Sequence, residues 1–150
     1  MINFTGGYFV TIELDLLLCK AMSLEKLLEL WVLLETLEDV TCQKKMPGIY
    51  LVKYSLFNFG IELYAQNPFE RGIAFKELQR SIQYAIEQRK LFFTIQYDPE
   101  RPEGKYFGEI YTRKENGNFQ FFNSRNNEVA IALLDSYTQY LQSDFVYRES

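Results

Sequence analysis

The chain has no histidine among its 150 residues. That absence excludes Ser-His-Asp and Cys-His nucleophilic catalysis, histidine-ligated zinc and the usual charge switch near neutral pH. It has only two cysteines, Cys19 and Cys42, too few for a disulfide framework or a four-cysteine metal site. Two reduced, buried thiols are the simpler expectation, and a Cys19–Cys42 pairing is the alternative. There is no Gly-rich phosphate loop of the GxxxxGK(S/T) type, no GxGxxG and no GxSxG elbow. No acidic cluster has the Asp-x-Asp spacing of a calcium loop. The first twenty residues carry no positive leader ahead of an apolar core. Their longest apolar run, Leu16 to Cys19, is far short of the ~20 residues a membrane span needs. The expectation is a cytoplasmic protein without a membrane partner, a cofactor or a bound metal.

What remains is ordinary in bulk and unusual in detail. Hydrophobic residues make up 47% and charged residues 24%, which suits one globular domain over residues 1–150 with a substantial core. Aromatic content is 17%, with 13 Phe and 11 Tyr. Such a surplus implies either a bulky core or an aromatic binding face. The net charge of −4 leans against a general nucleic-acid binder but leaves room for a local basic patch.

The strongest pattern lies between Leu91 and Phe122. Leu91, Phe93, Ile95 and Tyr97 alternate with Phe92, Thr94 and Gln96, which reads as a strand with one buried face. Asp98 to Gly104 holds two prolines and a glycine and ends it. Tyr106 to Arg113 alternates again, Asn116-Gly117 supplies a tight hairpin turn, and Phe119 to Phe122 returns. A three-stranded antiparallel meander follows.

Elsewhere, Tyr8 to Leu14 alternates as a strand. Ser23 to Val40 reads as a helix, capped by Ser23 and striped with Leu24, Leu27, Leu28, Trp31, Leu34 and Leu37. Its outer face carries Glu25, Glu29, Glu35, Glu38 and Asp39 against Lys26. Lys44 to Gly48 reads as a break, Ile49 to Leu56 as a strand, Phe57 to Gly60 as a turn and Ile61 to Ala65 as a strand. Asn67-Pro68 opens a loop through Gly72. Phe75 to Lys90 forms a second helix in a locally basic region. Asn126 or Asn127 caps a third helix, and Asp144 to Ser150 frays. The resulting order is β-α-β-β-α-β-β-β-α. It predicts an α+β fold, with one antiparallel sheet of about five to six strands and three helices mainly on one face.

Three functions follow from these residues. The leading one is a non-catalytic protein-interaction module: a small acidic binder, inhibitor or regulatory subunit, of the immunity or phage counter-defence kind. It would act through an aromatic hairpin face (Phe107, Tyr111, Phe122, with Arg113 and Lys114) or through the acidic helix (Glu29, Glu35, Asp39). The second is a nucleic-acid-binding accessory that uses the basic second helix and the same hairpin. The third is a carboxylate-dependent enzyme such as a metal-dependent nuclease, built on Asp98, Glu103 and Lys105. Its spacing is poor, because all three sit in one Pro-rich turn, and non-enzymatic binding is the expectation.

Overall fold

The computed structural model describes residues 22–149; the strand expected over Tyr8–Leu14 and Cys19 lie outside them. Among the described residues the class is α+β, with three helices and two antiparallel sheets. Helix α1 spans Leu24–Leu34, with the Ser23 hydroxyl accepting from the Lys26 N–H. Its Leu27, Leu28 and Trp31 are fully buried. Strands β1 (Val40–Met46), β2 (Ile49–Tyr54) and β3 (Phe57–Glu62) then form the first sheet, in the order β1-β2-β3. Helix α2 runs Pro68–Gln88. Strands β4 (Phe92–Tyr97), β5 (Tyr106–Arg113) and β6 (Phe119–Asn126) form the second sheet in the order β4-β5-β6, and helix α3 (Val129–Glu149) closes the chain.

The single sheet of five to six strands is not what forms. Helix α2 stands between β3 and β4, so the two meanders complete their hydrogen bonding separately. Each sheet turns an apolar face to the helices. Helix α1 packs on β1, α2 on β2, β3 and β4, and α3 on β5 and β6 as well as on both other helices. Tyr50, Val52 and Ile61 from the first sheet and Ile110 from the second join Ile82, Ile86, Leu133, Leu134 and Tyr137 in one core.

Five boundaries differ from the sequence pattern. Helix α1 stops at Leu34 and not at Val40, because Glu35 is extended and its carboxylate accepts from the Thr36 and Leu37 N–H groups. Val40 then starts β1, a strand hidden in the sequence by its exposed end Gln43 to Met46. The first hairpin turn is Pro47-Gly48, with Gly48 at φ +81°, and the second falls at Ser55, at φ +54°. Phe57 to Gly60 is therefore edge strand rather than turn. Asn67 caps α2, its Oδ1 accepting from the Phe69 and Glu70 N–H groups, and Pro68 takes the first helical position, where a missing N–H costs nothing. The last residues are helical through Glu149, with Arg148 paired to Asp144 one turn back at 3.0 Å.

Helix α3 approaches the second sheet closely at Gly108. A Cβ there would meet the Ala132 carbonyl carbon at 3.2 Å, and the Ser136 hydroxyl donates to the Gly108 carbonyl at 2.8 Å. Gly108→Val should lift α3 from β5 and cost on the order of 1–3 kcal/mol. Gly72→Ala is the control: it faces open space in α2 and should gain up to ~1 kcal/mol from helix propensity. Urea midpoints measure both, and a Gly108→Val chain as stable as the parent would refute the close packing.

Candidate partner-binding face

Register decides which side chains share a face of the second sheet. Phe93, Ile110 and Phe122 stand in one cross-strand row, and Phe92, Tyr111 and Phe121 in the next. Successive rows point to opposite faces. The first row turns inward: Ile110 is fully buried and Phe122 meets the Tyr140 ring of α3 edge-on at 5.9 Å. Gln120 and Ser124, on the same side, hydrogen-bond Ser143 and Asp135 of α3. The second row turns outward, and among the described residues no helix covers it.

The outward face carries a connected aromatic cluster. Phe92 stacks on Tyr111 at 5.1 Å with a 10° tilt. Phe119 meets both rings edge-on, at 5.9 and 5.8 Å, and Phe121 lies 5.5 Å from Tyr111. Phe92, Phe119 and Phe121 remain 47%, 38% and 54% exposed. Arg113 sits over the Phe119 ring at 5.1 Å, and Arg125 over Phe107 at 5.0 Å. Between these arginines lies a polar row of Thr94, Glu109 and Asn123, in which Asn123 Nδ2 donates to Glu109 Oε2 at 3.4 Å. The outward face of the first sheet is different. Gln43, Lys53, Asn58 and Glu62 are exposed there, an ordinary solvated surface.

The aromatic residues expected to share one face do not all do so. Phe107 and Tyr111 are outward with Arg113, and Lys114 is exposed at the start of the hairpin turn. Phe122 is corrected to the covered face, because the turn pairs Arg113 with Phe119 and so places Phe122 opposite Ile110. Phe92, Phe119, Phe121 and Arg125 complete the outward face. Counting register back from Asn116-Gly117, where Gly117 sits at φ +89°, would have found the last three.

The acidic residues are engaged within the chain. Glu29 accepts from Lys44 at 3.1 Å and from the Tyr50 hydroxyl at 3.4 Å, and Lys44 holds its carboxyl below the ordinary carboxylate value. Asp39 is not helical and accepts a short hydrogen bond from the Tyr84 hydroxyl. Glu35 is corrected from surface to interior: its side chain is 3% exposed and pairs with Arg89 at 2.7 Å. A carboxylate so enclosed has no edge left for a partner.

The Pro-rich turn holds no catalytic arrangement of the kind considered. Lys105 Nζ donates to the Pro99 and Arg101 carbonyls, and Asn127 Oδ1 accepts from the Gly104 and Lys105 N–H groups. The lysine braces its own turn. Among the described residues no group of three His, Cys, Asp or Glu side chains is placed to hold a metal ion, and no helix is long and apolar enough to cross a membrane. The chain matches no protein-family model, no curated protein and no solved structure.

Proposed function

We propose that the protein is a non-catalytic protein-interaction module, a small acidic binder, inhibitor or regulatory subunit. It covers a partner's surface with the open face of its second sheet. One observation carries this reading: three phenylalanines of a connected cluster stay between 38% and 54% exposed on a sheet whose other face packs on helix α3. Contiguous exposed apolar surface on a small domain marks interaction sites, and centrally placed aromatic residues dominate their energetics. Its site residues are Phe107, Tyr111 and Arg113, with Lys114 at the rim, joined by Phe92, Phe119 and Phe121. We place the module in the cytoplasm, a reading supported by Cys42, a buried free thiol.

Affinity purification from native extract, with the parent chain and a Phe92→Ser/Phe121→Ser chain side by side, tests the proposal. Both substitutions face solvent, so circular dichroism should be unchanged. The parent should retain a protein partner at near-equal amount, and the variant should lose about ten-fold or more of it. Equal recovery by the two chains, or no partner with either, overturns the reading.

A second reading, single-stranded nucleic acid on the same face, draws on Arg113 and Arg125 lying over rings. It requires affinity for a labelled U20 oligonucleotide that falls steeply with salt. The net charge of −4 opposes it.

A further inference from the structure

The geometry points to an acidic amphipathic helix of a partner protein as the occupant of the open sheet face. This inference rests on the reading that the face binds protein, and it specifies what that protein presents.

Charge is the first argument. The chain holds 20 acidic residues against 16 basic ones, yet its open face carries two arginines and a single carboxylate, Glu109. Neither arginine takes part in any of the ion pairs found among the described residues, which join Lys44–Glu29, Arg80–Glu77, Arg89–Glu35 and Arg148–Asp144. Arg125 has one weak additional bond, to the Gly104 carbonyl at 3.4 Å. A guanidinium laid over a ring keeps its planar edge of N–H donors available to a carboxylate, and a surface with an acid surplus could have supplied one. The complement is carboxylate from outside.

Spacing is the second. Arg113 stands opposite Phe119, and Arg125 stands opposite Phe107, six residues along β5. At ~3.3 Å per residue the two cationic rows are about 20 Å apart. A helix of roughly 13 residues covers that distance. The rings of Tyr111 and Phe121 lie next to the Arg113 end, and Glu109 lies nearer the Arg125 end. The complementary helix therefore carries a carboxylate at each end, an apolar stripe over the rings, and no acid above Glu109.

Backbone chemistry is the third. An extended segment laid across a sheet face leaves its own N–H and C=O groups unpaired, whereas a helix satisfies them internally. The inner face of this same sheet is covered by a helix, α3. An outer helix would complete the same layering.

The test selects displayed 15-residue amphipathic peptides, randomised in stripe and flanks, on the full chain, and then measures winners by fluorescence anisotropy. Enriched sequences should carry carboxylates at both ends and lose about ten-fold or more in affinity for an Arg113→Glu/Arg125→Glu chain. They should also fail on Phe92→Ser/Phe121→Ser. Winners that tolerate charge reversal but fail on the phenylalanine variant overturn the acidic helix and leave the protein-binding face standing. Winners indifferent to both variants, or no enrichment, overturn the inference. A U20 oligonucleotide that displaces the winners also overturns it and assigns the face to nucleic acid. Unchanged circular dichroism and urea midpoints for both variants secure each outcome.

Discussion

Glu35→Ala should cost the fold about 3–5 kcal/mol, a large part of the 5–15 kcal/mol that holds a domain together. The reason is the company the carboxylate keeps. Oε1 accepts from the Trp31 indole at 2.9 Å and the Tyr137 hydroxyl at 2.7 Å. Oε2 accepts from Arg89 Nη2 at 2.7 Å and from the backbone N–H groups of Thr36 and Leu37 at 3.0 and 3.3 Å. Arg89 Nε also donates to the Tyr137 hydroxyl at 2.9 Å, and its side chain is 12% exposed. One residue thus ties the end of α1 to the end of α2 and to the middle of α3. Alanine removes the anion, leaves the Trp31 indole N–H and the Tyr137 O–H without their acceptor, and leaves the Arg89 charge with only the neutral Tyr137 and Thr36 oxygens to answer it. Glu35→Gln should be nearly as harmful, because its amide would turn N–H donors either toward Arg89 and the two backbone N–H groups or toward the Trp31 indole and the Tyr137 hydroxyl. Replacing both charges by apolar residues of similar size, as in Glu35→Leu/Arg89→Met, should recover most of the loss. Urea unfolding followed by tryptophan fluorescence reads all three. A Glu35→Ala chain within about 1 kcal/mol of the parent would sink the argument.

That network explains where the sequence pattern misled. Leu34 and Leu37 continue the three-and-four spacing of α1, so periodicity alone runs the helix on to Val40. What stops it is tertiary: Glu35 is drawn to Arg89, more than fifty residues away, and no local signal announces that. The same distance hides Glu35's burial, since a charged residue on a helical pattern is ordinarily solvated. By contrast β5 was legible to the residue as Tyr106–Arg113, because its cues are local: a Pro-rich break before it, alternation within it and Asn-Gly after it. Strand β1 sits between these cases. Val40 and Cys42 alternate as a strand should, but the exposed lysines that follow resemble a break, and only pairing with β2 makes them a ladder.

The candidate face was half legible for a related reason. Phe107, Tyr111 and Arg113 share one side of one strand, which period two gives directly. The contribution of β6 depends on register, and there a slip of one residue exchanges every side chain between faces. Assigning Phe122 outward has that slip in it; the turn geometry puts Phe119, Phe121 and Arg125 outward instead. No periodicity argument could say that, among the described residues, no helix covers the outer face of the second sheet. It follows from where the helices pack: α3 takes the inner face of that sheet, while α1 and α2 pack on the first sheet, on β4 and on α3.

Stability should hold from neutral pH to about 9 and then fall steeply as the solution becomes alkaline. Burial, and then the nearby Glu35 carboxylate, pushes the Cys42 thiol up from 9.0 to about 12. Burial, followed by Glu29, pushes the Tyr50 phenol up to about 12. Tyr54, Tyr137 and Tyr140 are raised as well, in each case first by burial. Every one of these groups is neutral when protonated and has its folded pKa above its unfolded one. Their contribution is therefore complete below the unfolded value and is lost as pH rises through the interval between the two. In that interval the unfolded chain binds fewer protons than the folded one, which makes the slope of stability against pH negative. For Cys42 alone the interval spans about 9 to 12 and corresponds to roughly 4 kcal/mol, at about 1.4 kcal/mol per unit. The tyrosines join above about pH 10 and steepen the fall. Urea unfolding at intervals from pH 7 to 11 measures the curve, and Cys42→Ala separates its parts by moving the onset from about 9 to about 10. A parent chain equally stable at pH 7 and 11 would show that these side chains are not sealed from water. The core that joins the two sheets and the three helices would then be looser than the packing around Tyr50, Trp31 and Tyr137 requires.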